Sequence, residues 1–160
     1  MPNKIVTKEQ LVEQLKPLRA RGSRFVFTNG CFDLMHVGHT RYLQAARALG
    51  DLLIVGVNSD DSVRSLEKAP DRPIVHEAQR AEVVAALGCV DFVVIFSEPD
   101  PKALITAVQP DVLVKGGDWP LDRIIGRDVV EARGGRVQTI PLVPGFSTTA
   151  LIHRIRSASA

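Results

Sequence analysis

Short runs of continuous apolar residues alternate with longer amphipathic stretches along the whole chain. RFVFT (24–28), LLIVGVN (52–58), DFVVIF (91–96), DVLVK (111–115) and RVQTI (136–140) read as strands. Between them lie segments of helical period. Thr7 followed by Gln10 reads as a capping box opening a helix towards Arg21, with Gly22 as its stop. Pro17 inside that pattern predicts a kink or an early end near Lys16. Further helices are predicted over 39–49 with Gly50 beyond, from a cap at Asp60 to about Leu66, and over 77–87, 101–108, 124–133 and 149–156. Residues 67–73 read as loop.

Strands apolar along their whole length are covered on both faces, which implies a parallel sheet. The expected fold is therefore α/β: a single Rossmann-like, doubly wound parallel sheet of about five strands with helices on both faces. No repeat, low-complexity tract or linker interrupts the pattern, so residues 1–160 are expected to form one domain.

Composition narrows the function. With 160 residues, 45% of them hydrophobic, the chain supports one buried core. A net charge of +2 suits an anionic small molecule and falls short of a nucleic-acid-coating surface. Aromatic residues at 5% also argue against stacking platforms for single strands. Cys31 and Cys89 belong to no CxxC pair, which favours a reduced, cytoplasmic setting. The N-terminus lacks the apolar core of a signal peptide, and no apolar run approaches membrane-spanning length. Neither nucleic acid nor membrane is an expected partner.

In an open parallel sheet, ligands bind beyond the carboxyl ends of the strands. Three polar clusters fall at such ends: TNGCFDLMHVGH (28–39), KGGDW (115–119) and PGFSTT (144–149). In the first, Asn29 and Gly30 suit a tight turn with positive φ. A helix starting near His39 offers unpaired N–H groups and a partial positive charge. Gly38 removes a side chain where a phosphate would approach the backbone. His36 and His39, three residues apart, project to the same side of that helix start. Two imidazole donors there would stabilise charge building on phosphate oxygens during displacement at phosphorus. Two weaker readings compete. One is metal ligation, for which zinc wants a third ligand that Cys31 or Asp33 would have to supply; the other is simple capping of the backbone. The segment GCFDLMHVG is not the GxGxxG of a dinucleotide site.

TNGCFDLMHVGHTRYL resembles the HxGH nucleotidyltransferase superfamily, and the likeness continues through VNSDDSV, RPIV, EAQR, VKGGDW and PGFSTTALIHRI. Within it the chain is most similar to the bacterial heptose 1-phosphate adenylyltransferases, in the stand-alone form without a kinase portion. The resemblance implies transfer of AMP from ATP to D-glycero-D-manno-heptose 1-phosphate, releasing pyrophosphate and giving ADP-heptose for lipopolysaccharide. It also implies Mg²⁺ bound with the ATP, and a homodimer or higher homo-oligomer. Matched position by position, His36, His39, Lys68 and Arg80 would be catalytic. Thr28, Asn29, Gly30, Phe32, Gly38, Lys115, Gly116, Ser147, Thr148 and Thr149 would bind nucleotide. Asp118 and Trp119 would stand near the sugar, with packing an equal reading for Trp119. Asp33 would orient substrate or a metal, or cap the turn. Ser147 to Thr149 also suit a helix cap, and Lys115 and Arg80 have surface readings. The loop LEKAPDRP departs from the family pattern, so the register of Lys68 stays open. Two alternatives stand beside adenylyl transfer. One is another base or acceptor, as in a glycerol 3-phosphate cytidylyltransferase or a guanylyltransferase making GDP-heptose; the other is a nucleotide-binding regulatory module without turnover.

Overall fold

The computed structural model describes residues 3–66, 70–117 and 119–158. Its strands are β1 (Phe25–Gly30), β2 (Leu52–Asn58), β3 (Phe92–Phe96), β4 (Val112–Gly116) and β5 (Arg136–Ile140). The helices are α1 (Lys8–Ala20), α2 (Val37–Arg47), α3 (Asp60–Ser65), α4 (Glu77–Ala85), α5 (Lys102–Val108), α6 (Arg127–Glu131) and α7 (Thr148–Ala158). The five strands form one sheet in the order β3-β2-β1-β4-β5, with every neighbouring pair parallel. The fold is the expected Rossmann-like α/β sheet.

Alternation along the strands feeds two cores. Phe25, Phe27, Ile54 and Leu113 join Leu11 and Leu15 of α1 and Leu104 and Ile105 of α5 on one face. Val26, Leu53, Val55 and Val114 join Leu43 of α2 and Ala81 and Val84 of α4 on the other. Both layers are buried, as a doubly wound sheet requires. Among the described residues no helix is long and apolar enough to cross a membrane.

Three local expectations need correction. Helix α1 runs through Pro17 to Ala20 instead of ending near Lys16. Pro17 and Glu13 are both exposed, so water can solvate the carbonyl that loses its partner. Buried Leu11 and Leu15 hold one side of the proline, and Arg19 Nη2 anchors the other by donating to the carbonyls of Val108 and Gln109. The helix expected over 124–133 shrinks to Arg127–Glu131, preceded by one 3₁₀ turn, Leu121–Arg123. Gly126 interrupts it at φ 90°, and a Cβ there would sit 2.6 Å from Ile105 Cδ1. The α3 cap is Ser59, whose hydroxyl accepts from the Ser62 N–H, and Asp60 is the first helical residue.

The strand order places a topological switch between β1 and β4. The chain builds outward through β2 and β3 on one side, then returns to the other side of β1 to lay down β4 and β5. Strand β1 pairs with β2 at six positions, but with β4 only at Val26↔Val112 and Phe27↔Leu113. Beyond those pairs the two strands part, and a crevice opens at their carboxyl ends.

Candidate active site

Lys115 Nζ donates to Asn29 Oδ1 at 2.5 Å, bridging the diverging ends of β4 and β1. Above this bridge lies a cavity of about 340 Å³. Its wall comes from Asn29–Asp33 after β1, from His36, Gly38, His39 and Tyr42, from Arg72 and Gly116, and from Leu142, Val143 and Phe146–Thr149.

The histidine pair is built into the start of α2. His36 is the N-cap, with extended backbone at φ −142° and ψ 173°. Its Nδ1 accepts the Gly38 N–H at 3.1 Å, and its own N–H donates to His39 Nδ1 at 3.4 Å. The rings lie 4.0 Å apart, tilted by 35°. A ring nitrogen that accepts carries no proton, so each neutral imidazole holds its hydrogen on Nε2. Burial lowers the pKa of His36. That of His39 falls from 6.5 to about 4, chiefly through burial, with smaller contributions from His36 and Arg72. At neutral pH the pair is therefore uncharged, with two Nε2–H donors at the positive end of a helix.

Gly38 has a reason beyond the one its sequence suggests. A Cβ there would lie 2.8 Å from Cε1 and 2.9 Å from Nδ1 of His36. The glycine makes room for the first histidine ring. Gly30 is similar: its φ is not positive, and a Cβ would come within 3.1 Å of the Phe32 ring. The left-handed positions fall instead on Phe32 (φ 49°) and Leu34 (φ 46°). For residues with a Cβ this conformation costs roughly 1–2 kcal/mol each, so the surroundings must hold it.

Asp33, between those two residues, is that hold. It is buried, and its carboxylate accepts from Arg72 Nε at 2.6 Å and from the N–H groups of Ile74 and Val75, both at 3.0 Å. Its carbonyl accepts from Thr148 Oγ1 at 2.9 Å, which ties in α7. Both carboxylate oxygens are thus engaged by the protein's own donors, and a sugar or a metal would have to displace one. Among the described residues no group of three His, Cys, Asp or Glu side chains is placed to hold a metal ion.

The other expected residues fall into three groups. Asn29, Gly30, Phe32, Gly116, Ser147, Thr148 and Thr149 stand on the cavity wall, with the Phe32 ring 5.6 Å from His39. Ser147 Oγ accepts the Ala150 N–H at 3.0 Å, capping α7. A second group lies behind the wall. The Thr28 hydroxyl is fully buried against Tyr42 Oη at 2.7 Å, and burial pushes the Tyr42 phenol up to about 12. Arg80 is 1% exposed and does not line the cavity. Its Nε donates to the Val75 carbonyl at 2.9 Å, Nη1 to the Cys31 carbonyl at 2.5 Å, and Nη2 to Asp60 Oδ1 at 2.8 Å. It braces the histidine loop from inside. Trp119 is 58% exposed and is not among the residues of the wall. Finally, Lys68 and Asp118 lie outside the described residues.

Five wall residues escaped sequence reasoning: Tyr42, Arg72, Leu142, Val143 and Phe146. Arg72 had a signal, since it opens the RPIV segment. Tyr42 and Phe146 also lie inside quoted motifs, TNGCFDLMHVGHTRYL and PGFSTT, whereas Leu142 and Val143 had no signal, because they reach the wall only through the path of the segment between β5 and α7.

Against known families, residues 27–154 match the cytidylyltransferase-like model. The chain belongs to the cytidylyltransferase-like family. It is a nucleotidyltransferase. Among curated relatives it is 56% identical over 156 residues to the bifunctional protein HldE of Geotalea uraniireducens, covering 98% of this chain and 32% of that protein. The HldE of Syntrophotalea carbinolica is 54% identical over 153 residues, covering 96% of this chain and 31% of that one. The chain thus spans about a third of the length of these relatives. Among solved structures, a lipopolysaccharide core biosynthesis protein from Thermoplasma volcanium GSS1 matches with TM-score 0.63 at 30% identity, over 76% of this chain and 98% of that one. A pantoate-beta-alanine ligase from Francisella tularensis shares the fold, at TM-score 0.61 and 13% identity, over 98% of this chain and 78% of that one. In this nucleotidyltransferase the cavity has the parts that displacement at phosphorus needs: neutral donors, a helix N-terminus and hydroxyls.

Proposed function

We propose that the domain transfers AMP from ATP to D-glycero-D-manno-heptose 1-phosphate, giving ADP-heptose and pyrophosphate for the lipopolysaccharide core. The observation that carries the reading is the capped histidine pair, whose Nδ1 atoms are committed to the α2 backbone and whose Nε2–H groups remain to meet an anion. Similarity to HldE proteins and to a lipopolysaccharide core biosynthesis protein supports the choice of acceptor.

In this reading a phosphate oxygen of the sugar 1-phosphate attacks the α-phosphorus of ATP. A new P–O bond forms, the bond between the α-phosphorus and its bridging oxygen breaks, and pyrophosphate leaves with the electron pair. The acceptor phosphate is largely ionised at neutral pH, so no base has to be supplied. His36 and His39 donate to non-bridging oxygens, and these bonds strengthen as charge accumulates. At the start of α7 the Ser147 and Thr149 hydroxyls and the helix N-terminus hold the departing phosphates, while the Thr148 hydroxyl donates to the Asp33 carbonyl. Asn29, fixed by Lys115, and the backbone at Gly116 line the nucleotide side. Mg²⁺ would come bound to the ATP phosphates; among the described residues no carboxylate cluster is placed to hold it.

The test is a panel of ATP, CTP and GTP against heptose 1-phosphate and glycerol 3-phosphate, scored by pyrophosphate release. Turnover is expected with ATP and the heptose. Turnover with CTP and glycerol 3-phosphate but not with ATP would overturn the assignment.

A further inference from the structure

One strong cation on the cavity wall has no part in the chemistry above. Arg72 reaches the cavity from the connection between α3 and α4. Its side chain is only 8% exposed, and its Nε donates to Asp33 Oδ2 at 2.6 Å. The Ile74 and Val75 N–H groups hold that carboxylate in turn, so the guanidinium is aimed as well as neutralised. Among the described residues no acceptor takes the Arg72 Nη groups, and no buried polar side-chain atom lacks a partner. The Nη groups therefore reach the open space of the cavity.

The start of α7 stands on the same side. Asp33 links the two, since its carboxylate takes Arg72 and its carbonyl takes the Thr148 hydroxyl. Further along, Leu151 and Ile155 share an apolar groove with Val75, and Arg156 pairs with Asp71, the residue before Arg72. Helix α7 is thus fastened to the segment 71–75 from its first residue to its last turn. Each brings an anion-binding group to the cavity. From α7 come the helix N-terminus and the Ser147 and Thr149 hydroxyls; from the segment comes the guanidinium. Two such groups, both fixed by Asp33, can close on a single anion. The charge of Arg72 also lowers the His39 pKa, consistent with both side chains facing one cavity.

We propose that Arg72, fixed by Asp33, forms with the start of α7 the seat of the departing pyrophosphate. The proposal rests on the transfer reaction given above and names a further residue for it. When the bond between the α-phosphorus and its bridging oxygen breaks, the electron pair stays on that oxygen, and the leaving group gains one negative charge. Hydroxyls and a helix end oppose it with partial charges only, whereas a guanidinium brings a full one and parallel donors. Arg72 neither gains nor loses a proton. It receives the terminal phosphates of ATP and offsets the charge that develops as they leave.

Two measurements test it, with thermal melting to verify the fold of each variant. First, pyrophosphate and AMP are titrated separately by calorimetry into the enzyme in Mg²⁺ buffer. R72Q is expected to weaken pyrophosphate binding by about ten- to a hundredfold, while AMP, which lacks the departing phosphates, keeps its affinity within about twofold. R72K keeps the charge and a donor to Asp33 but loses the fork, and should weaken pyrophosphate by about three- to tenfold. This variant carries the test if the glutamine one does not fold. Second, in steady-state kinetics R72Q should raise the KM for ATP and lower kcat, with the KM for heptose 1-phosphate within about twofold of wild type. The titration needs no sugar, so wild-type enzyme inert with heptose 1-phosphate would count against the acceptor's identity alone. A wild-type enzyme that binds no pyrophosphate, or unchanged pyrophosphate affinity in both variants, would overturn the proposal. So would an equal loss for AMP, the mark of a merely structural role, or a loss that falls on the acceptor instead.

Discussion

The Gly38 N–H donates to His36 Nδ1 at 3.1 Å, so one imidazole is at once the cap of α2 and a wall of the cavity. The two roles use different atoms. Capping needs the acceptor at Nδ1; holding a phosphate needs the hydrogen on Nε2.

Asparagine separates them. Its Oδ1 stands where Nδ1 stood, while nothing replaces Nε2–H. H36N should therefore keep wild-type stability in a denaturant titration and lose about a hundredfold or more in kcat. H36A should lose a similar factor in kcat and also about 1 kcal/mol of stability. A fully active H36N would reduce His36 to a cap.

The pH dependence of stability follows from His39. Its folded pKa, about 4, lies below the ordinary value of 6.5. Between those values the unfolded chain binds the proton and the folded chain does not. The contribution is thus fully present above about pH 6.5 and is lost as pH falls towards 4. Urea midpoints measured across this window should rise with pH in the wild type and rise less in H39Q. Ring ¹⁵N shifts should show His39 titrating near pH 4 without ligand and higher with ATP, whose charge favours the imidazolium. Titration near pH 6.5 in the free protein would contradict the buried, neutral pair.

Arg80 is expected to matter for stability more than for binding. R80A strips donors from the Cys31 and Val75 carbonyls and leaves Asp60 without its buried cation. Breaking such a pair costs about 3–5 kcal/mol, or roughly 10 °C in Tm for a chain of this size. A rise in the KM for ATP with Tm unchanged would instead mean that Arg80 reaches phosphate.

How much of this was legible depends on the range of the interactions. β2 runs over the residues that the apolar pattern marks, because a strand covered on both faces writes its burial directly into consecutive positions; β5 also keeps its expected bounds, although at the sheet edge it is only half-buried. Pro17 misled because its local penalty is set against anchoring by Arg19 on carbonyls about ninety residues away. The histidine spacing could be read because capping and proximity at a helix start are local. The partners of Asp33 could not: the Arg72 bond spans 39 residues and depends on how the α3–α4 connection folds back. The positive φ expected at Asn29 and Gly30 moved to Phe32 and Leu34 for the same reason, since contacts from Arg72, Val75 and Thr148 impose it from outside the loop.

The central claim is that both histidines act on the nucleotide during transfer, and the single-turnover rate of pyrophosphate release from ATP in the presence of heptose 1-phosphate tests it most directly. H36A and H39A should each slow that step by about two to three orders of magnitude at saturating substrate. Wild-type rates in both variants would contradict the account.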